Sequence, residues 1–404
     1  MALQSAALQT EAMQTPFMAS GHESPLTDPT AIWQHLLARA CHYRASDIHI
    51  EPIDTGVHCR FRIDGVLVAH TALPNYRTLN VAREALCAHI KVQAGMDIAQ
   101  QRMPQDGHLT YAADGTHSWD CRVSSLPTVE GEKLVIRLLG QTTSDHHLGD
   151  LGYTPSQLHE LESALDAPNG LILMTGPTGC GKTISLYSCL ARLNQTSVNI
   201  CTVEDPVEMP IAGVQHLQIN EKAGLTFPVA LRAFLRQDPD VIMVGEIRDD
   251  LTAHISIQAA QTGHLVLSTL HTKDAPAALI RLIHMGVPAI QVVSAVRLVT
   301  AQRLLRKLCP HCKKPASSHD PQTAPCYIPV GCPRCVNGYQ GRIGIFQILP
   351  MSEQLGASLL AHASVTELAQ QAAASGIQTL KQSGQRLVDA GITSVDELRR
   401  NVDV

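Results

Sequence analysis

Aromatic residues are scarce in this chain, at 3% of its 404 positions. So few rings leave little on which unpaired bases stack, which argues against a single-strand nucleic-acid binder. Positive charge is not in excess: 31 Lys and Arg against 36 Asp and Glu give a net charge of −5, the wrong balance for nonspecific binding to a polyanion. No run of 18 uncharged apolar residues occurs, so no membrane-spanning helix is predicted. The first residues also lack the basic-then-apolar order of a secretory signal. In a chain without an export signal, the twelve cysteines read as reduced thiols or metal ligands rather than disulfides.

What is present is a globular composition, 45% hydrophobic and 17% charged, long enough for two or three domains. Its most informative stretch is 171–190, an apolar run, a glycine-rich turn and an amphipathic helix pattern in that order. The turn, Gly176-Pro177-Thr178-Gly179-Cys180-Gly181-Lys182-Thr183, fits the phosphate-binding loop. Its glycines let successive N–H groups curl around a phosphate, Lys182 reaches the β- and γ-phosphates, and the Thr183 hydroxyl ligates Mg²⁺. A chance glycine-rich turn is the bland alternative, and the strand–turn–helix context argues against it.

Residues 1–28 carry no sustained period and read as a disordered tail. Residues 29–140 read as an α+β domain: a helix over 30–43, strands Asp47–Glu51 and Val57–Ile63, a helix from Thr78 to Gly95, and strands Trp119–Ser124 and Lys133–Leu138. Arg60, Arg62, Arg122 and Arg137 fall on these strands or their ends. They serve either as solubilising residues or as phosphate-stabilising groups, and the strand pattern does not choose. A polar linker, 141–152, contains His146 and His147, with no further ligand at metal spacing.

From 153 to 308, strands and helices alternate, which predicts a mostly parallel sheet. Polar residues gather at three strand ends. Glu204 and Asp205 follow one strand, at the edge where open α/β sheets bind ligands. Glu204 lies 22 residues after Lys182, where RecA-like ATPases carry the water-activating glutamate. A second strand ends at Gly245-Glu246, which predicts Glu246 on the metal side of the site. Asp240 precedes that strand, on the wrong edge for Mg²⁺. His264 and His271 bracket a third strand and are expected either to sense the γ-phosphate or to pack structurally.

Cys309-Pro310-His311-Cys312 and Cys332-Pro333-Arg334-Cys335 are separated by 19 residues, a spacing that fits a structural tetrathiolate Zn²⁺ site. A redox pair is the alternative, and Cys326 is left unmatched. The remainder, 336–404, reads as a turn into a short strand followed by helices. Ser394 and Glu397 form a predicted capping box for a last helix at Val395–Asn401.

Taken together the motifs resemble the ATPases of type II secretion and type IV pilus assembly, the GspE/PilB type. The segments that carry the likeness are ASDIHIEP at 45–52, RFRIDGVL at 60–67, RMPQDGHL at 102–109 and VSSLPTVEGEKLVIRLL at 123–139. They continue with GPTGCGKT at 176–183, TVEDPVE at 202–208, RQDPDVIMVGEIRD at 236–249, TGHLVLSTLHT at 262–272, the paired CxxC, and GYQGRIGIFQIL at 338–349. The resemblance implies a RecA-like P-loop ATPase core preceded by a PAS-like α+β domain, with a zinc module and a helical C-terminal segment. It implies ATP, Mg²⁺ and structural Zn²⁺, and a cytoplasmic homohexamer working peripherally at the inner membrane on a platform protein. Arg122 and Arg137 match family positions that supply arginines to the phosphates, whereas Arg60 and Arg62 are weaker candidates. His108 stands where the family commonly has arginine, and Cys180 where serine is common. The extra N-terminal docking domain of many members is expected to be missing, which leaves open recruitment by a membrane-anchored partner. No stable nucleic-acid partner is expected. A pilus-retraction or DNA-transfer motor is the rival reading within the superfamily.

Overall fold

The computed structural model describes residues 26–54, 56–73, 77–79, 81–112, 118–139, 147–316 and 326–402. Most of the expected tail and the first half of the expected linker lie outside these. The chain divides into two compact units, Met1–Gln141 and Thr142–Val404.

In the first unit, helix α1 (Pro29–His42) starts where its sequence directs. Pro29 supplies a preset φ at the first turn, and the Asp28 carboxylate accepts from the Ala31 N–H at 2.8 Å. Its apolar face, Ile32, Trp33, Leu36, Leu37 and Ala40, is buried. The Trp33 indole N–H donates to Gln93 Oε1 (2.8 Å) at the end of helix α2 (Arg83–Gln93). Helix α2 is shorter than the expected Thr78–Gly95, because the Thr78 carbonyl accepts from the Leu26 N–H and Leu79 bridges Leu26. That pairing holds the segment extended.

Strands β1 (Asp47–Ile53), β2 (Gly56–Ile63), β3 (Val66–Ala69), β4 (Gln105–Ala112), β5 (Ser118–Thr128) and β6 (Gly131–Leu139) form an antiparallel sheet in the order β3-β2-β1-β6-β5-β4. Register sorts its faces. Ile48 lies opposite Phe61 and Ile136, and Ile136 opposite Val123, a buried apolar row. One residue along, Asp47 lies opposite Arg62 and Arg137, Arg137 opposite Arg122, and Arg122 opposite His108. Because side chains alternate with a period of two, this charged row occupies the other face.

The second unit opens with helix α3 (Pro155–Leu165), capped by a Thr154–Gln157 box. Its strands are β7 (Gly170–Thr175), β8 (Ile200–Glu204), β9 (Gln215–Gln218), β10 (Val241–Val244), β11 (Leu265–Leu270), β12 (Val296–Leu308) and β15 (Tyr339–Pro350), in the order β15-β12-β7-β11-β10-β8-β9. All neighbours are parallel except β12 and β15. Every residue of β7, β8, β10 and β11 is buried, as expected of a parallel sheet covered on both faces. The helices are α4 (Lys182–Leu193), α5 (Phe227–Phe234), α6 (Asp250–Gln261), α7 (Ala275–His284) and α8 (Ala289–Ala295).

Two expectations are corrected here. The core does not close at Leu308: β15, expected to be short, runs twelve residues and completes the same sheet. The cysteine segment, with its small pair β13 (Lys314–Pro315) and β14 (Tyr327–Ile328), is therefore an insertion between the edge strand β15 and its neighbour β12. Nor is there a full capping box at 394–397. Ser394 Oγ accepts from the Glu397 N–H (3.1 Å), but the Glu397 carboxylate instead binds Arg306 at 2.6 and 3.0 Å. A long-range arginine outcompetes the local backbone for a buried carboxylate. The last helices are α9 (Glu353–Leu360), α10 (Val365–Ala374), α11 (Leu380–Asp389) and α12 (Val395–Val402).

Candidate functional site

The glycine-rich turn joins β7 to α4, and backbone geometry explains its composition. Gly176 has φ 150°, and a Cβ there would lie 2.6 Å from both Cys180 Sγ and the Gln302 carbonyl oxygen. No larger residue fits. Gly181, left-handed at φ 92°, caps α4 with no side-chain bond to its first turn. That leaves the N–H groups and the positive end of the helix dipole for an anion. Pro177, Thr178, Gly179 and Thr183 are exposed, while Cys180 is buried. Burial pushes the Cys180 thiol up, and its carbonyl accepts from Gln302 Nε2 at 2.9 Å. The position thus contributes backbone, not thiol chemistry. Lys182 Nζ donates to the carbonyls of Gly176 (2.7 Å) and Pro177 (3.1 Å). Burial lowers its pKa, and the Glu246 charge opposes that shift.

Strand order brings the other groups to this edge. Strand β11 lies between β7 and β10, so their carboxyl ends are neighbours spaced roughly 5 Å apart. Glu246, just beyond β10, accepts from Arg248 Nη2 at 2.5 Å, and its second oxygen is 3.6 Å from His271 Nε2. Burial lowers the pKa of His271, Lys182 adds to that, and Glu246 works against it. Lys182, Glu246 and His271 therefore feel one another across three adjacent strand ends. Arg248 also lies 3.8 Å from Asp205.

His264 does not join them. It precedes β11 at the amino end, where Nδ1 lies 3.0 Å from the Ala259 carbonyl. A six-residue strand is roughly 20 Å long, so bracketing a strand puts the two histidines on opposite edges. Of the two histidines expected either to sense the γ-phosphate or to pack structurally, only His271 lies at the edge of the phosphate loop, beside Glu246. Asp240 likewise sits at the amino end, accepting from the Asn199 N–H at 2.7 Å.

Glu204 also differs from its expected form. It ends β8, but its side chain is only 5% exposed and both oxygens are held. Tyr187 donates to Oε2 (2.5 Å), Thr202 donates to Oε1 (2.6 Å), and His216 Nδ1 lies 2.8 Å from Oε1. A base that takes a proton from water needs an open lone pair toward it. Glu204 lacks that open face, whereas Glu246 stands at the accessible edge. Sequence reasoning missed Tyr187, His216, Arg248 and Gln302. Arg248 was visible inside GEIRD, but no local signal marks the others.

In the first unit the charged row sets Arg122 and Arg137 directly side by side. Arg137 Nε is 3.1 Å and Arg62 Nε 3.5 Å from the buried Asp47 carboxylate. Arg60 instead bonds Glu51 at 2.6 Å. Like charges opposite one another destabilise a sheet; Asp47 faces the arginines Arg62 and Arg137, while Asp120 on the same face pairs with His108 and leaves Arg122 beside Arg137. The row suits an anion.

The thiols of Cys309, Cys312, Cys332 and Cys335 all lie within 4.8 Å of one another. Sulfur separations of 3.8 Å (Cys309–Cys332), 3.7 Å (Cys312–Cys335) and 3.6 Å (Cys332–Cys335) match the roughly 3.8 Å edge of a tetrahedron with 2.3 Å metal–sulfur bonds. N–H groups of Gly331 and Cys332 point at the sulfurs of Cys312 and Cys335. The donor set fits Zn²⁺, and Cys326 is outside it.

A mostly parallel sheet with covered inner strands, a phosphate loop after one of those strands and polar residues at the neighbouring strand ends define an α/β ATPase fold. The chain belongs to the family described as Type II/IV secretion system protein, whose model matches residues 26–400. It is 47% identical over 371 residues to the Escherichia coli "Protein transport protein HofB homolog", covering 90% of this chain and 79% of that one. It is 45% identical to the Pseudomonas aeruginosa "Type IV pilus assembly ATPase PilB", covering 88% of this chain and 64% of that one. Against the "Type II secretion system protein HxcR" of the same species the identity is 42%, covering 90% of this chain and 75% of that one. The chain thus spans between 64% and 79% of the length of these three relatives. Among solved structures, the Legionella pneumophila ATPase DotB matches with TM-score 0.70 at 20% identity, covering 94% of this chain and 97% of that one. The pilus retraction motor PilT with bound ADP matches with TM-score 0.62 at 23% identity, at the same two coverages. These last two are likenesses of fold. No helix among the described residues is long and apolar enough to cross a membrane.

Proposed function

We propose that this chain is a motor ATPase that powers assembly of a pseudopilus or pilus. The observation that carries the proposal is the grouping of Lys182, Glu246 and His271 beside the uncapped start of α4, in a member of the secretion family. The loop amides and Lys182 bind the β- and γ-phosphates. Thr183 and Glu246 hold Mg²⁺, which polarises the phosphates when bound. Glu246 also orients the attacking water, and His271 reports the γ-phosphate by a hydrogen bond. Arg122 and Arg137 neutralise charge on the transferring phosphoryl group from the first unit, a PAS-like domain in this reading.

In the same proposal the chain acts as a cytoplasmic homohexamer, peripheral to the inner membrane, against a platform protein and a membrane-anchored recruitment partner. The tetracysteine site holds one structural Zn²⁺. A pilus-retraction or DNA-transfer motor is the second reading, favoured only by the fold likeness to PilT and DotB.

Phosphate release by the purified chain tests the site. Wild type should turn over ATP with Mg²⁺, and Glu246→Gln should bind ATP but hydrolyse it at least a hundredfold more slowly; undiminished turnover by Glu246→Gln rejects the assignment. Metal analysis should give about one zinc per chain, with Cys332→Ser losing it.

A further inference from the structure

The most enclosed carboxylate near the phosphate loop is the one the proposed chemistry leaves without a task. Glu204 is held by groups from three elements: Tyr187 on α4, Thr202 on its own strand β8, and His216 on β9. The proton on His216 can be placed. The Ile211 backbone N–H donates to its Nε2 at 3.0 Å, so that nitrogen carries a lone pair and the ring proton is on Nδ1. Nδ1 lies 2.8 Å from both Glu204 Oε1 and Thr202 Oγ1, and the Thr202 hydroxyl donates to the carboxylate. Three neutral donors therefore satisfy this buried anion. A carboxylate taken out of water is costly unless its acceptors are filled, so the arrangement resists any other rotamer.

The two sides of this clamp carry the reacting groups. Tyr187 is one helical turn beyond Thr183 on the helix that begins with Lys182. On the other side Glu204 packs against the turn that presents Glu246. The Gly245 N–H donates to the Val203 carbonyl at 2.8 Å, and a Cβ at Gly245 would lie 3.3 Å from that oxygen and 3.4 Å from Glu204 Cα. The Tyr187–Glu204 bond thus sets the spacing between the helix bearing Lys182 and Thr183 and the turn bearing Glu246.

We propose that Glu204 is a positioning residue, clamped by Tyr187 and the Nδ1–H tautomer of His216 to hold Thr183 and Glu246 in register for ATP turnover. The proposal rests on the ATPase reading above.

Steady-state ATP hydrolysis by the full chain tests it, with circular dichroism confirming each variant folded. Tyr187→Phe removes a single oxygen and keeps the ring that packs in the core. It should lower kcat about 10- to 30-fold with KM for ATP within about threefold, because the loop still grips the phosphates while the geometry for water is lost. His216→Leu should do the same. His216→Asn, which restores an N–H near the Nδ1 position, should return to within about threefold of wild type. Glu204→Gln should fall in the range of Tyr187→Phe rather than near the thousandfold loss of a missing base. The proposal is overturned if Tyr187→Phe and His216→Leu both stay within twofold of wild type. It is equally overturned if KM rises as far as kcat falls, or if Glu204→Gln alone is crippled, which makes Glu204 the base. A wild-type chain that neither binds nor hydrolyses ATP overturns the ATPase reading and this proposal with it. An active wild type with Tyr187→Phe and His216→Leu both unaffected overturns only the positioning role.

Discussion

The two sheets of this protein use their surfaces in opposite ways. The inner strands β7, β11, β10 and β8 of the seven-stranded sheet are buried on both faces, and the chemistry is confined to strand ends. The six-stranded sheet buries one face and spends the other on a transverse row, Arg62, Asp47, Arg137, Arg122 and His108. A parallel sheet has no free face because its crossover helices cover both sides, so only the carboxyl edge is open to ligands. An antiparallel sheet has one face to spare, and register alone collects charges from five strands into one line. The same comparison says which substitutions harm the fold and which harm only the site.

The largest effect should come from the strand-end chemistry. Lys182→Ala should reduce ATP turnover at least a thousandfold, measured as phosphate release, while the thermal unfolding midpoint moves by only a few degrees; near-normal turnover sinks the loop assignment. Next comes the covered interior. Leu173→Ala, at a fully buried position of β7, should cost about 3–5 kcal/mol in denaturant unfolding. A cost below about 1 kcal/mol contradicts a sheet closed on both faces.

A pH prediction separates the units. Burial holds the imidazoles of His35 and His70 down at about 4, from an ordinary 6.5. The unfolded chain therefore binds more protons than the folded one between those values. Stability of the first unit is fully present above about pH 6.5 and drains as the pH falls toward 4, by on the order of 3 kcal/mol per histidine. Hydrogen exchange at pH 7 and pH 5 should show α1 and β2 losing protection before β7 and β11; equal loss in both units removes the distinction. The smallest effect belongs to the charged row. Arg122→Ala should change stability by less than about 1 kcal/mol, yet lower turnover about tenfold or more. A variant that unfolds, or one with full activity, breaks the assignment of that face to an anion.

Much of the site was legible because its parts are local in sequence. The loop from Gly176 to Thr183, the Gly245-Glu246 turn and the paired CxxC each carry their chemistry within a few residues. The failures come from groups whose partners are distant. Glu204 looked like an open base until Tyr187 and His216, from another helix and another strand, were seen to fill its oxygens. Glu397 looked like half of a capping box until Arg306 claimed it. His264 was misplaced for a simpler reason: periodicity identifies a strand, but flanking it on both sides spans its length. Strand β15 was underestimated because its partner β12 lies across an inserted cysteine segment.

What the amino-acid order determined by itself is the phosphate loop, the alternation of strands and helices, the tetracysteine spacing and the family likeness, since each depends on short-range pattern. What only the tertiary structure decided is which carboxylate faces the loop, which histidine accompanies it, and that five strands align their charges in one row. Those are properties of strand order and register, set by contacts between residues tens to hundreds of positions apart. No local pattern records a partner at that separation.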